Sequence, residues 1–307
     1  MASAGLRLRT IRATALLLTV LSLMVVLLSA YLRLDGAGLG CADWPACYSR
    51  LLASEPGELH FGVVRLLHRA VASISLLLAC ALVWQCWRRP SIEPAAGPAM
   101  LLLLLMLVLS ALGIWSSDPR LTLVGFLNIM GGLGLVTFSW RVVLASSPGA
   151  MLQRPAAPTL ALRLGAAALS VTVILGALIG ASYSALACAS FPDCGGSWWP
   201  GANDWAALKP FSVLTATPAA GDPGGATLHL LHRYSALATL LVLGAAGVQA
   251  LADEERQRAA RMLLVLLTAQ IALGSLTVLS GFSLWLAISH HLAAAALLAT
   301  VATLLRR

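Results

Sequence analysis

Residues 101–115 read LLLLLMLVLSALGIW, and runs of this kind recur along the whole chain. A stretch with no polar side has to be buried or to lie in lipid, and about 20 apolar residues suffice for a helix to cross a bilayer. Eight such spans are expected, at approximately 11–33, 62–87, 99–116, 121–144, 160–183, 227–250, 260–280 and 284–304. Each should be helical, because in hydrocarbon the backbone must satisfy its own hydrogen bonds. The composition agrees, at 59% hydrophobic and 10% charged, where a soluble domain carries about 25% charged residues. The expected fold class is all-α, a polytopic membrane protein.

The charges orient the spans, since cytoplasmic loops carry an excess of Lys and Arg. Arg7, Arg9 and Arg12 precede the first span, Arg88 and Arg89 follow the second, and Arg256, Arg258 and Arg261 lie between the sixth and seventh. With eight spans these all fall on one side, whereas Asp35, Asp43, Glu55, Glu58, Asp193 and Asp222 fall on the other. The expectation is a bacterial plasma-membrane protein with both termini cytoplasmic and the first span kept as a helix rather than removed as a signal. The net charge of +8 then reflects topology. There is no clustered basic arm with interleaved aromatics, so nucleic acid is not an expected partner; membrane lipid is.

Two loops on the acidic side share a pattern. Cys41 and Cys47 flank Trp44-Pro45 in GLGCADWPAC, and Cys188 and Cys194 flank Phe191-Pro192 in LACASFPDCGG. On an oxidising face each pair is expected to close as a local disulfide, the alternatives being a metal or thiol-redox role and free thiols. Cys80 and Cys86 have the same spacing inside a span, where the helical rise separates them too far to bond, and read as filler.

The repeated loop belongs to a larger duplication. His68-Arg69 in RLLHR follows the first cysteine loop and His232-Arg233 in LHLLHR follows the second, with GGSWWPGANDW as extra length in the second copy. The same offset carries His290 to within two residues of Asn128. Two repeated four-helix bundles are expected, residues 1–150 and 151–307.

An imidazole inside a membrane is costly and marks a functional site by default. His232 and His290, at comparable depth on separate helices, form the arrangement that grips a haem iron from both faces. Arg233 and Arg69 suit haem propionates. His229 reads as a structural histidine, and His291, about 100° around the helix from His290, as the lesser ligand candidate. In the first half His68 is an iron-ligand candidate, but its partner position holds Asn128, and Met130 beside it reads as packing.

These stretches resemble the haem A synthase family. The resemblance rests on GLGCADWPAC, HRAVAS, NIMGG, LHRYSALA and WLAISHHLAAA, in order and over nearly the whole chain. It implies a haem B cofactor on His232 and His290, a haem O substrate near His68, and oxidation of the haem O C8 methyl to a formyl at an extracytoplasmic site. Implied partners are a haem O-forming prenyltransferase and cytochrome oxidase assembly factors. Two positions depart from the family pattern: Arg65 stands where a glutamate is usual, and Asn128 where a histidine is usual. With His68 these form the catalytic candidates. The alternative function is a diverged haem-binding or electron-transfer membrane protein that makes no haem A.

Overall fold

In the computed structural model of the protein, described for residues 2–36, 59–88, 92–115, 121–147, 157–207 and 223–306, the chain is all-helical apart from one isolated bridge between Cys194 and Ser197. The long helices are α1 (Ala2–Gly36), α2 (Leu59–Trp87), α3 (Glu93–Trp115), α4 (Thr122–Ala145), α5 (Leu160–Ala181), α6 (Pro223–Ala250), α7 (Gln257–Leu279) and α8 (Leu284–Leu304). All eight are long and apolar enough to cross a membrane. Large apolar side chains such as Leu77, Trp84 and Ile114 point outward, as lipid permits and water would not. The chain is a multi-pass membrane protein.

The first helix begins well before its apolar run. The extension is held by Arg7, whose guanidinium donates to the carbonyls of Gln85, Cys86 and Arg88. These carbonyls close the end of α2, where Cys86 also accepts from the Ile92 N–H at 2.9 Å and a cation meets the negative pole of the helix.

Helices α1 to α4 pack in a ring in which each touches the next and α4 closes on α1. Helices α5 to α8 pack in the same order, with the closing contact of α8 on α5 the slightest. The rings meet through α1, α4, α5 and α8. In hydrocarbon this association depends on close packing and interhelical hydrogen bonds rather than on water exclusion. Both are present: a Cβ added at Gly165 on α5 would lie 2.9 Å from Cα of Leu243 on α6, and Thr172 and Thr239 join the same two helices at 2.9 Å. Thr19 donates to Ser139 at 3.1 Å between α1 and α4, and Trp140 donates to Thr303 at 2.8 Å between the rings.

The rings place their polar residues in matching register. His68 is the tenth residue of α2 and His232 the tenth of α6; Asn128 is the seventh of α4 and His290 the seventh of α8. All four are counted from the end of the bundle where α1, α3, α5 and α7 finish, the end that bears the Cys188–Cys194 loop. At about 1.5 Å per residue they lie about 9–14 Å in from those helix starts.

Candidate haem sites in the two halves

Across the interior of the second ring, the imidazoles of His232 and His290 face each other with centroids 6.5 Å apart and planes at 76°. An imidazole nitrogen binds a metal at about 2.0–2.1 Å and lies about 1 Å from its own ring centre, so two imidazoles on one ion have centroids about 6 Å apart. Nδ1 of His232 donates to the carbonyl of Thr172 at 3.0 Å. That bond fixes the tautomer and leaves the lone pair on Nε2, the orientation a backbone acceptor gives a metal-binding histidine. The His290 side is unfinished within the protein. Its Nε2 lies 3.2 Å from the side-chain nitrogen of Gln270, while His290 Nδ1 and Gln270 Oε1 are buried with no partner.

Two glycines make room for these rings. A Cβ at Gly176 on α5 would meet Cε1 of His232 at 3.0 Å, and a Cβ at Gly274 on α7 would meet Cε1 of His290 at 3.0 Å. Each imidazole therefore rests against the bare backbone of the neighbouring helix. Among the described residues no group of three or more His, Cys, Asp or Glu side chains converges on a common point. Two imidazoles at this separation would hold a metal ion that draws its remaining ligands from a group other than the protein, as a haem iron does.

The neighbouring polar residues are committed elsewhere. His229 donates to the carbonyl of Ser184 at 3.0 Å and packs edge-on against Phe282, a structural histidine as expected. Arg233 does not face the imidazole pair. It donates to the carbonyls of Pro192 at 3.0 Å, Asp193 at 2.5 Å and Ser190 at 2.9 Å, and lies 5.4 Å over the ring of Phe191. Cys188 and Cys194 form a disulfide with Cα atoms 5.1 Å apart, so Arg233 fastens the disulfide loop to the helix that carries His232. The extra length of this half builds an aromatic rim, where Trp199 contacts Trp205 and Tyr234 at 5.9 and 5.7 Å and the Tyr234 hydroxyl donates to the Trp198 carbonyl. Cys41 and Cys47 lie outside the described residues. Cys80 is exposed and Cys86 buried, both as free thiols.

A partly open cavity of about 690 Å³ lies among the first four helices and α8, within the range of small-molecule sites. Its polar lining includes Arg33 from α1, His68 and Arg69 from α2, Ser110 from α3, Asn128 from α4 and His291 from α8. The fold thus brings His68, Arg69 and Asn128 together. Among the described residues, neither His68 nor Asn128 makes a hydrogen bond, so both side chains are open to a ligand. Arg65 is exposed one turn nearer the loops and is not part of the lining. Met130 packs with the apolar cluster of Val26, Ile129 and Leu133.

Of the lining residues, His291 reads from sequence only as the lesser alternative to His290, and Arg33 carries no assigned role. His291 turns to the first ring although its neighbour His290 serves the second. Its Nδ1 donates to the Ala287 carbonyl at 3.0 Å, and its Nε2 therefore accepts from Arg33 Nη2 at 3.1 Å. Arg33 stands at the edge of an apolar span, where arginines commonly reach back to the membrane surface. The available signal was an ionisable residue inside a helix that continues past it.

The chain is similar to known proteins over most of its length. A family model described as cytochrome oxidase assembly protein, COX15-CtaA, matches residues 67–302. A heme A synthase of Shewanella oneidensis is 28% identical over 93% of this chain and 92% of its own length. A heme A synthase of Symbiobacterium thermophilum is 27% identical over 92% of this chain and 90% of its own. One of Sphingopyxis alaskensis is 29% identical over 78% and 68% respectively. With the match covering most of the helical bundle, the chain belongs to the COX15-CtaA, or haem A synthase, family.

Proposed function

We propose that this protein is a haem A synthase, oxidising the C8 methyl of haem O to a formyl group, with its two halves as repeated units of distinct function. The observation that carries the proposal is the separation of two imidazole sites: the facing pair His232 and His290 in one ring, and the roomy cavity with unbonded His68 and Asn128 in the other. Haem B held by His232 and His290 would supply one-electron transfer. Thr172 orients one imidazole, Gly176 and Gly274 seat both, and Arg233 with the disulfide loop covers this half from the loop end. In the first ring His68 is the ligand for the substrate haem, Asn128 offers a neutral amide on another helix, and Arg69 faces a substrate propionate. Arg65 lies outside that cavity and is assigned to the charged approach to it.

The bias of arginines toward the opposite end supports a bacterial plasma-membrane protein with cytoplasmic termini and both sites nearer the extracytoplasmic face. A haem O-forming prenyltransferase and cytochrome oxidase assembly factors are the partners this activity requires on either side of it. Asn128, in the register position that holds His290 in the other half, favours the second reading, a haem-binding or electron-transfer protein without turnover.

Co-expression with a haem O-producing system, followed by pigment extraction and mass analysis, separates the two. Haem A is expected from the native chain. Haem O alone, from protein that is folded and carries its haem B, would exclude the synthase reading and leave the second.

A further inference from the structure

Arg33 lies near the loop end of α1, and among the described residues no acidic side chain pairs with it. Its hydrogen-bond partner among the described residues is His291, which accepts through Nε2 while donating through Nδ1. Arg33 Nε is buried with no acceptor. Nη2 lies 3.9 Å from where a Cβ of Gly180 on α5 would be, so the head group crosses toward α5 and α8. Among the described residues that line the cavity there is a second arginine, Arg69, and no acidic side chain. An isolated buried charge costs several kcal/mol, a cost that an anion bound in this cavity beside Arg33 would offset.

The form of that anion follows from the surroundings. The remaining lining is largely apolar, with Val25, Val26, Leu76 and Leu133 among it, which favours an amphiphile with a singly charged head over a free, strongly hydrated phosphate. A planar guanidinium matches a carboxylate best. We propose that Arg33, held in place by His291, is a carboxylate-binding residue of the first-half cavity, selecting a porphyrin that carries free propionates. This rests on the reading of that cavity as a porphyrin site. It gives α8 a part in both halves, with His290 facing one site and His291 bracing the anion-binding residue of the other.

The test uses full-length protein in detergent with its second-half haem in place, titrated with metal-free protoporphyrin IX and, separately, with its dimethyl ester. Without a metal the probe cannot use His68 as a ligand, so the acid-to-ester ratio reports the carboxylate contacts. Arg33→Met is expected to weaken binding of the free acid by about tenfold or more, the size of a lost charge-assisted hydrogen bond, and to leave ester binding unchanged. Arg33→Lys should retain part of the preference for the acid, and it decides the matter if Arg33→Met loses the second-half haem and so is not folded. Equal acid affinity in the wild type and the folded variant would overturn the proposal, as would parallel loss of acid and ester. Iron protoporphyrin separates the two levels. If His68→Ala loses iron-porphyrin binding while Arg33 variants bind all probes normally, the cavity reading stands and the role of Arg33 falls. If no porphyrin binds the wild-type cavity, both fall.

Discussion

The rings of His232 on α6 and His290 on α8 stand 6.5 Å apart at 76°, each pressed against a glycine of the helix before it. This relationship couples helix packing to ligand binding, because the α5–α6 and α7–α8 contacts decide whether the two nitrogens face a common point. His232→Ala or His290→Ala is expected to remove the low-spin bis-imidazole spectrum of the purified protein. Unchanged haem content and reduced-minus-oxidised spectra in both variants would refute the ligand assignment.

The glycines give a subtler test. Alanine is favoured over glycine in a helix by about 1 kcal/mol, so Gly176→Ala and Gly274→Ala should not weaken their helices. The added methyl would sit 3.0 Å from an imidazole carbon, and the ring must shift. Both variants are expected to express normally with reduced haem occupancy or a partly high-spin spectrum. Wild-type absorbance and magnetic circular dichroism in both would show that the seats are not tight.

His68 should separate catalysis from cofactor retention. In His68→Ala, haem A production is expected to fall to background while the His232/His290 spectrum persists, because the two sites lie in different rings. Simultaneous loss of both would mean that His68 acts through the fold.

Arg233 holds its loop through several carbonyls and the face of Phe191. Arg233→Met removes the donors but keeps most of the stem. Faster amide exchange and protease cleavage over residues 189–200 are expected, with the disulfide intact by mass mapping. Exchange unchanged from wild type would show that the disulfide alone fixes the loop.

At the opposite end, Arg7→Ala leaves the Gln85 and Arg88 carbonyls without the guanidinium, while Cys86 keeps the Ile92 N–H. A loss of about 1–3 kcal/mol is expected for hydrogen bonds from a charged group, read as a lower thermal midpoint in detergent without a change in the haem spectrum. A midpoint equal to wild type would show that water replaces the guanidinium there.

The sequence by itself determined the eight spans, since apolar runs of that length have one stable form in lipid, and most predicted boundaries lie within a few residues of the helix ends. It also determined the depth of His68, Asn128, His232 and His290, because position along a helix is a matter of counting. What counting leaves open is direction. Adjacent residues on a helix point about 100° apart, so His290 and His291 had to face different ways, but only the seating of α8 between the rings decided that one meets His232 and the other Arg33. The same holds for the arginines. Arg33 read as the boundary of a span and Arg233 as a propionate partner; tertiary packing turned the first into a cavity and bound the second to the cysteine-loop carbonyls. A guanidinium reaches several ångströms from its own backbone, and its partner is chosen by whichever acceptors the fold brings within that reach.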